Sequence, residues 1–192
     1  MRTADPSKAP RIIESAGRLF AERPYHEVRM DDIAARAGVA KGTLYLHFRD
    51  KEALYLALID DGLLRQLADV RAHLTDVSDP FDKVRYIARA AVVFFEKYPQ
   101  FLELLPSLEA KLPQSPEVPL RMRREEFNAL LGGALAEVAA TGRLAVDDPA
   151  FSALCFVGVL HEVLKMTPRP WPPTIADRIA GHFLYGVRGG PV

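Results

Sequence analysis

Apolar residues recur every three to four positions through most of the chain, the spacing that places them on one face of an α-helix. Over residues 10–23, for example, Ile12, Ala16 and Leu19 share one side. No segment alternates apolar and polar residues over a useful length, and the sequence contains no internal repeat. The pattern therefore predicts an all-α protein.

Prolines, glycines and capping residues divide this pattern into segments. Asp50 and Asp148 are good N-caps, and Gly142 suits a helix stop. An extended connection is predicted around the prolines Pro113, Pro116 and Pro119. The predicted helices cover about 10–23, 30–37, 40–48, 50–75, 81–98, 100–111, 120–141, 149–166 and 174–188.

The stretch MDDIAARAGVAKGTLYLHF, residues 30–48, has the layout of a helix-turn-helix. Ile33 and Ala37 fall on one face of its first helix, and Leu44 and Phe48 form the matching face of its second. Gly38 supplies the backbone freedom for a left-handed turn between them. In this motif the second helix enters the major groove of DNA.

The outer face of that second helix carries groups that suit DNA. Lys41 and the hydroxyl of Thr43 suit phosphates or base edges, and Gly42 permits close approach of the backbone. Leu46 suits contact with a thymine methyl group, and Lys51 in the next helix suits a phosphate. Alternatively, these residues form only the solvated side of an amphipathic helix pair, since short helix pairs with glycine turns are common.

The segment RIIESAGRLFAERPYHEVRMDDIAARAGVAKGTLYLHFRDKEAL, residues 11–54, resembles the DNA-binding domain of the TetR family of bacterial regulators. Its most specific part is DIAARAGVAKGTLYLHF, followed by KEAL. The resemblance implies an all-helical homodimer with a three-helix DNA-binding head and a larger ligand-binding body, whose last two helices form a four-helix interface with the partner. The residues that match the family's usual DNA-contacting positions are Lys41, Gly42, Thr43, Tyr45, His47 and Lys51.

Three positions depart from the family's pattern. Arg29 stands where Thr or Ser is common, Ala40 where Ser or Thr is common, and Pro24 where Gly is frequent. The first two changes remove capping side chains, each worth about 1 kcal/mol, and Asp31 and Asp32 partly compensate through the helix dipole. We hypothesise that Arg29 has exchanged a cap for a phosphate contact. The predicted DNA-contacting set therefore also includes Arg29, Ala40 and Leu46.

Residues 1–52 are predicted to form the helix-turn-helix DNA-binding domain, and residues 53–192 a helical effector-binding and dimerisation domain. Aromatic residues crowd the middle of the second part, where they suit the wall of an apolar cavity. Alternatively they are core, which is the usual role of aromatics at helical spacing. The candidate ligand-binding residues are Phe94, Tyr98, Phe101, Met122, Phe127 and His161.

The helix predicted over 149–166 has a wider apolar surface than one domain face requires. With the last helix, it suits a two-fold interface between identical copies, and Trp171 is expected to cover the edge of that bundle. The candidate dimer-interface residues are Phe151, Leu154, Cys155, Gly158, Val159, Ile175, Ile179 and Phe183.

Composition and charge indicate the cellular location of the protein and how it can attract DNA. The single cysteine, Cys155, excludes an intramolecular disulfide and a multi-cysteine metal site, which favours a reducing, cytoplasmic location. No apolar run approaches ~18 residues and residues 1–10 are polar, so neither a membrane span nor a secretion signal is expected. The net charge is zero, so attraction to DNA has to come from a local basic face.

Catalytic interpretations find little support. His161 and Glu162 begin like a zinc-protease motif, but Lys165 stands where the second histidine belongs. Cys155 lies mid-helix among apolar neighbours, as an inert packing thiol does. We expect no catalytic residue, no metal site and no cofactor, and therefore not an enzyme.

Together these features predict a ligand-responsive transcription regulator. The resemblance implies a homodimeric repressor released from a near-palindromic double-stranded operator by a small effector, with activation as the rarer case, and the crowded aromatics suggest that the effector is apolar. The ligand would shift the long helix that begins at Asp50 and so change the spacing of the two recognition helices, ~34 Å for successive major grooves. Two alternatives stay open at this point: a helical module that senses a protein partner, and a small-molecule enzyme with an incidental basic head.

Overall fold

The structure is a computed structural model, and it describes residues 5–103 and 119–186. Within these residues the chain forms helices and no strand. The predicted all-α class is confirmed. The N-terminal part contains the predicted helix-turn-helix, and the C-terminal part is helical.

Observed helix bounds agree closely with the predicted ones. Residues 99–103 are helical as well, whereas the rest of the helix predicted to 111, and Pro113 and Pro116, lie outside the described residues. Pro119 starts a helix instead of extending the predicted connection. The helices are α1 (Lys8–Glu22), α2 (Met30–Ala37), α3 (Lys41–His47), α4 (Lys51–Leu74), α5 (Pro80–Lys97), α6 (Pro119–Ala140), α7 (Pro149–Met166) and α8 (Ile175–Tyr185).

Local capping explains where several helices start. The Asp50 carboxylate accepts a hydrogen bond from the Ala53 amide at 2.7 Å, and the Asp148 carboxylate accepts one from the Phe151 amide at 2.9 Å. Each satisfies a first-turn N–H that has no partner within the helix. Both N-cap predictions are confirmed.

The chain divides into two compact units, Met1–Gly62 and Leu63–Val192, and α4 crosses the division. In the first unit α1 packs on α2, and α2 packs on α3. Phe20 and Tyr55 meet edge-to-face with ring centroids 5.0 Å apart. The side chains that are completely covered in this unit include Ile12, Ile33, Leu44, Leu54 and Ile59.

In the second unit α5, α6, α7 and α8 pack against one another. Trp171, in the connection that joins α7 to α8, is buried, and its indole N–H donates to the Thr167 carbonyl at 3.0 Å. Salt bridges on the surface also join these helices; one links Arg89 of α5 to Asp177 of α8 at 2.8 Å. The largest completely covered side chains of this unit include Leu67, Ile87, Leu131, Leu135, Phe156 and Leu160.

Candidate nucleic-acid interface and ligand cavity

The turn between α2 and α3 holds the second helix in place. Gly38 has φ of 62°, in the left-handed region that an L side chain rarely adopts. The amide of Val39 donates to the Ala34 carbonyl at 3.0 Å, and the Arg11 guanidinium donates to the Ala37 carbonyl at 2.9 Å. The last carbonyl groups of α2 therefore have hydrogen-bond donors from the turn and from Arg11, as the predicted tight turn requires.

Leu44 fixes which side of α3 faces outward. Its side chain has no exposed surface, whereas Tyr45 and Leu46 are 44% and 50% exposed. Lys41 and Gly42 are exposed, and apart from its own helix backbone no atom of the described residues lies within 4 Å of the position that a Cβ on Gly42 would take. The predicted recognition face is thus open along most of the helix.

The first charged group of this face is already paired. The Lys41 ammonium lies 2.8 Å from the Asp31 carboxylate. A hydrogen bond from Lys41 to Asp31 raises the pKa of Lys41 above its usual value, and Coulombic attraction adds to the shift. Lys41 is consequently a permanent cation whose charge is partly offset at close range.

Arg29 and Ala40 occupy the N-cap positions of α2 and α3, and neither side chain accepts a capping bond. The Arg29 amide instead donates to the Asp32 carboxylate at 3.4 Å. The Arg29 guanidinium is exposed. Asp32 therefore assists the start of α2 by a direct hydrogen bond as well as by its charge.

Lys51 has a structural role that the sequence did not show. Its ammonium donates to the carbonyls of Tyr25 and Val28, at 2.8 and 3.0 Å, and lies 4.4 Å from the centre of the Tyr25 ring. Burial lowers the pKa of Lys51. The ammonium thus binds the loop before α2, and its contact with a DNA phosphate stays a prediction.

The remaining predicted contact residues of α3 are half-buried. Thr43 is partly covered, and His47 has a buried Nε2 atom without a hydrogen-bond partner among the described residues. His26, which the sequence pattern did not indicate, belongs to the same surface. A shallow depression beside α3 is lined by His26, Val28, Arg29, Met30, Asp31, Lys41, Tyr45 and Lys51.

The second unit contains a cavity with predominantly apolar walls, which holds about 800 Å³ of space between atoms when its open mouth is counted. Its walls come from α4, α5, α6 and α7 and from the helical residues 99–103. The lining residues are Leu63, Gln66, Ala91, Phe94, Phe95, Phe101, Leu120, Arg123, Arg124, Phe127, Asn128, Val157, Leu160 and His161.

Four of the six candidate ligand-binding residues therefore line this cavity: Phe94, Phe101, Phe127 and His161. Tyr98 does not; it is buried and its ring lies 4.8 Å from that of Phe94. Met122 does not either, and its side chain is 66% exposed.

The ligand-binding residues predicted from the spacing of aromatics did not include most of the polar residues of the wall. The Gln66 amide donates to the Ala90 carbonyl, and Arg123 lies 3.7 Å from the Glu126 carboxylate. The side-chain carbonyl of Asn128 is buried without a hydrogen-bond partner in the described part of the chain. A signal existed in the sequence, because Arg124 and Asn128 are four residues apart and flank Phe127 on one side of α6.

A stripe of apolar side chains on α7 is open to solvent in the single chain. Phe151 is 63% exposed, Leu154 50% and Val159 42%, and Cys155 and Gly158 between them are exposed as well. Among the described residues this is also the one helix long and apolar enough to cross a membrane, with a mean hydropathy of 1.3 and 22% of its residues buried. The sequence predicted no membrane span here because Glu162 and Lys165 interrupt the apolar run.

The candidate interface residues of α8 have a different environment. Ile175 and Ile179 are each 5% exposed, so their own chain already covers them. Phe183 is half-buried, with its ring 5.0 Å from that of Phe156. The candidate interface residues of α7 are thus open to solvent, whereas those of α8 are largely covered by their own chain.

Comparison with known proteins agrees with this geometry. Residues 12–58 match the family model of the bacterial regulatory proteins of the tetR family. The transcriptional activator FasR of Mycolicibacterium smegmatis is 35% identical over 94 residues, which cover 49% of this chain and 43% of FasR. The aligned region thus spans less than half of that relative's length.

Two solved structures share the fold over nearly the whole chain. The transcriptional regulator FadR from Bacillus subtilis in complex with stearoyl-CoA has a TM-score of 0.68 at 19% identity, covering 92% of this chain and 98% of FadR. AibR in complex with isovaleryl coenzyme A and operator DNA has a TM-score of 0.66 at 22% identity, again covering 92% and 98%. Residues 12–58 thus match the DNA-binding head of the tetR family of bacterial regulatory proteins, and the chain as a whole shares the fold of these two regulators.

Proposed function

We propose that the protein is a ligand-responsive, DNA-binding transcription regulator that represses transcription until a small apolar molecule releases it from its operator. Residues 1–52 bind DNA, and residues 53–192 bind the effector and a second copy of the chain. The observation that carries this proposal is the open face of α3, with Tyr45 and Leu46 exposed beside a completely covered Leu44. The proposal assigns no catalytic step to the chain.

DNA contact is assigned to two kinds of group. Lys41, Arg29 and Lys51 supply positive charge for phosphates, which fix the position of the protein on the duplex. Thr43, Tyr45 and Leu46 are placed to reach base edges in the major groove. The proposed contact set is completed by Ala40, Gly42 and His47.

The α7 stripe is proposed to be covered by a second copy in a cytoplasmic homodimer. An isologous interface brings the same patch of both copies together, so one exposed stripe supplies both sides. Obligate dimers of this kind commonly bury more than about 2,000 Å² in total. Two copies related by a two-fold axis present two recognition helices, which fit a near-palindromic operator whose half-sites lie ~34 Å apart.

The effector site is assigned to the cavity of the second unit. Its walls are mostly hydrocarbon and aromatic, whereas Arg123 and Arg124 add positive charge. An apolar group attached to an anionic carrier matches this combination. FadR and AibR are similar in fold and were solved with stearoyl-CoA and isovaleryl coenzyme A, so acyl-CoA esters are the first effectors to test.

Coupling between effector and DNA is assigned to α4. This helix contributes Leu63 and Gln66 to the cavity wall and begins at Lys51 in the first unit. A ligand that displaces the cavity-lining part of α4 changes the helix that starts at the DNA-binding head. A hundredfold loss of DNA affinity requires only ~2.7 kcal/mol of differential binding between the two states.

The decisive experiment selects bound duplexes from a random pool with the full chain and then titrates stearoyl-CoA or isovaleryl-CoA into the complex. Selection of a near-palindromic site and its release by an acyl-CoA, but not by free coenzyme A, is the expected result. Tyr45→Ala should weaken binding to the selected site, whereas Val93→Ala, at a side chain 60% exposed on α5, should not. Absence of binding to every duplex at low salt would disprove the proposal.

A further inference from the structure

The effector cavity contains one polar atom whose environment points to a specific kind of ligand. We propose that Asn128 is a specificity-determining residue and that the cavity selects apolar molecules carrying a hydrogen-bond donor, a hydroxyl or an amide N–H. This inference rests on the proposed function, because it takes the cavity of the second unit to be the effector site.

Asn128 lies on the part of α6 that lines the cavity. Its predecessor by one helical turn, Arg124, also lines the cavity, and Leu131 three residues later is completely covered. The Oδ1 atom of Asn128 is buried and has no hydrogen-bond partner among the described residues. A carbonyl oxygen can only accept hydrogen bonds, so the missing partner is a donor.

Neighbouring polar groups on the wall are already engaged. The amide nitrogen of Gln66 donates to the backbone carbonyl of Ala90. The His161 ring packs edge-on against Phe95, with the ring centroids 5.2 Å apart. Arg123 lies 3.7 Å from the Glu126 carboxylate, and Arg124 has an interaction partner as well. The rest of the wall is hydrocarbon or aromatic, so the ligand itself has to supply a donor for the Asn128 carbonyl.

The burial of this acceptor explains why the requirement discriminates between ligands. The Asn128 carbonyl oxygen has almost no solvent-accessible surface, so solvent does not satisfy it. A ligand without a donor leaves this buried acceptor unsatisfied, at a cost in free energy. A hydroxyl or amide N–H that reaches it forms the missing hydrogen bond, whereas an ether, a thioether or an alkyl chain does not. A site built to hydrogen-bond its substrate rejects analogues lacking the group more strongly than an apolar wall rejects an altered chain length.

Two isomeric probes test the inference directly. Octan-1-ol carries a donor, and heptyl methyl ether has the same formula and an acceptor but no donor. Isothermal titration calorimetry on the full chain should show octan-1-ol binding about tenfold more tightly, the size expected for one net hydrogen bond. Asn128→Leu should remove this preference. Phe127→Leu, a matched change at the neighbouring wall residue, should weaken both probes and keep their ratio.

The outcomes separate the inference from the proposed function. Equal binding of both probes to the wild-type chain, or an unchanged ratio in Asn128→Leu, overturns the role of Asn128 and leaves the cavity as the effector site. Failure of the two probes and of stearoyl-CoA to bind overturns both. If Asn128→Leu does not fold, Asn128→Asp keeps the acceptor oxygens and should keep the preference for octan-1-ol; its loss there also overturns the inference.

Discussion

The ammonium group of Lys41, in the first turn of α3, lies 2.8 Å from the carboxylate of Asp31, in the first turn of α2. The pair joins the two helices of the helix-turn-helix on the side proposed to face DNA. Both side chains are more than half exposed, at 62% and 60%, so solvent screens their attraction. A DNA phosphate therefore competes with Asp31 for the same cation.

Removing that competitor should strengthen DNA binding. Asp31→Asn leaves the Lys41 ammonium unpaired and takes a negative charge away from the phosphates. We expect the affinity to rise by about two- to fivefold at low salt, with a smaller gain as salt screens the charges. Fluorescence anisotropy on the selected duplex measures the change. Asp69→Asn, at an exposed carboxylate of α4 in the second unit, serves as the control, and weaker binding by Asp31→Asn would show that Asp31 positions Lys41 instead.

Arg29 provides a separate test of the phosphate contacts. Its guanidinium is exposed and does not cap α2. Arg29→Ala should therefore remove one phosphate contact and change the stability of the fold only slightly. The slope of log affinity against log salt concentration should fall in magnitude by about one. Arg178→Ala, at an exposed arginine of α8, should leave the slope unchanged. An unaltered slope in Arg29→Ala would remove Arg29 from the interface.

The features predicted correctly from the sequence are local ones. The Asp50 and Asp148 caps and the left-handed Gly38 follow from residues within a few positions of each other, because capping and turn geometry depend on the adjacent backbone. The matched residues 12–58 also contain the specific motif DIAARAGVAKGTLYLHF. For these reasons helix bounds and the open face of α3 could be predicted before the structure was known.

Features that depend on packing between distant segments could not be predicted in the same way. Lys41 and Asp31 are ten residues apart and meet only because of the turn. An apolar helix face shows that something covers it, yet not whether its own chain does so, as for Ile179, or a second copy, as proposed for Leu154. The four-residue spacing of Arg124 and Asn128 places both on one side of α6, but whether that side faces a cavity depends on how α6 packs.

The exposed stripe of α7 leads to a prediction about assembly. Leu154→Glu places a carboxylate where the two copies are proposed to meet, and burial of an unpaired charge is strongly unfavourable. Sedimentation velocity should show a wild-type dimer and a monomeric variant. Val93→Glu, at an even more exposed apolar residue of α5, should stay dimeric. A dimeric Leu154→Glu variant would place the interface elsewhere.

The salt bridge between Glu22 and Arg36 should make stability depend on pH. Hydrogen bonds from Arg36, 2.6 Å long, hold the pKa of Glu22 below its ordinary value of 4.5. A lowered pKa means that the bridge stabilises the fold above pH 4.5, and that this contribution disappears as the pH falls through the lower folded value. Glu22→Gln should therefore destabilise the chain at neutral pH and lose its effect in acid. Urea unfolding at both pH values measures this, and an equal effect at both would exclude the charge as its cause.

Glycine substitutions separate the stability of the fold from its approach to DNA. Gly42 has ordinary helical geometry and open space where an added Cβ would lie, so Gly42→Ala should stabilise α3 by up to about 1 kcal/mol. The added methyl group lies on the exposed face, where it keeps a phosphate or base edge away from the backbone. DNA affinity should consequently fall about tenfold although the chain becomes more stable.

Two further glycines calibrate this result. Gly133, in α6, is likewise exposed, and among the described residues only its own helix backbone comes within 4 Å of an added Cβ, so Gly133→Ala should raise stability by a similar amount and leave DNA affinity unchanged. Gly38→Ala forces an L side chain into φ of +62° and should destabilise the fold by about 1 kcal/mol. Urea unfolding and anisotropy titrations on all three variants resolve the two effects. Wild-type affinity in Gly42→Ala would mean that DNA does not approach α3 at this position.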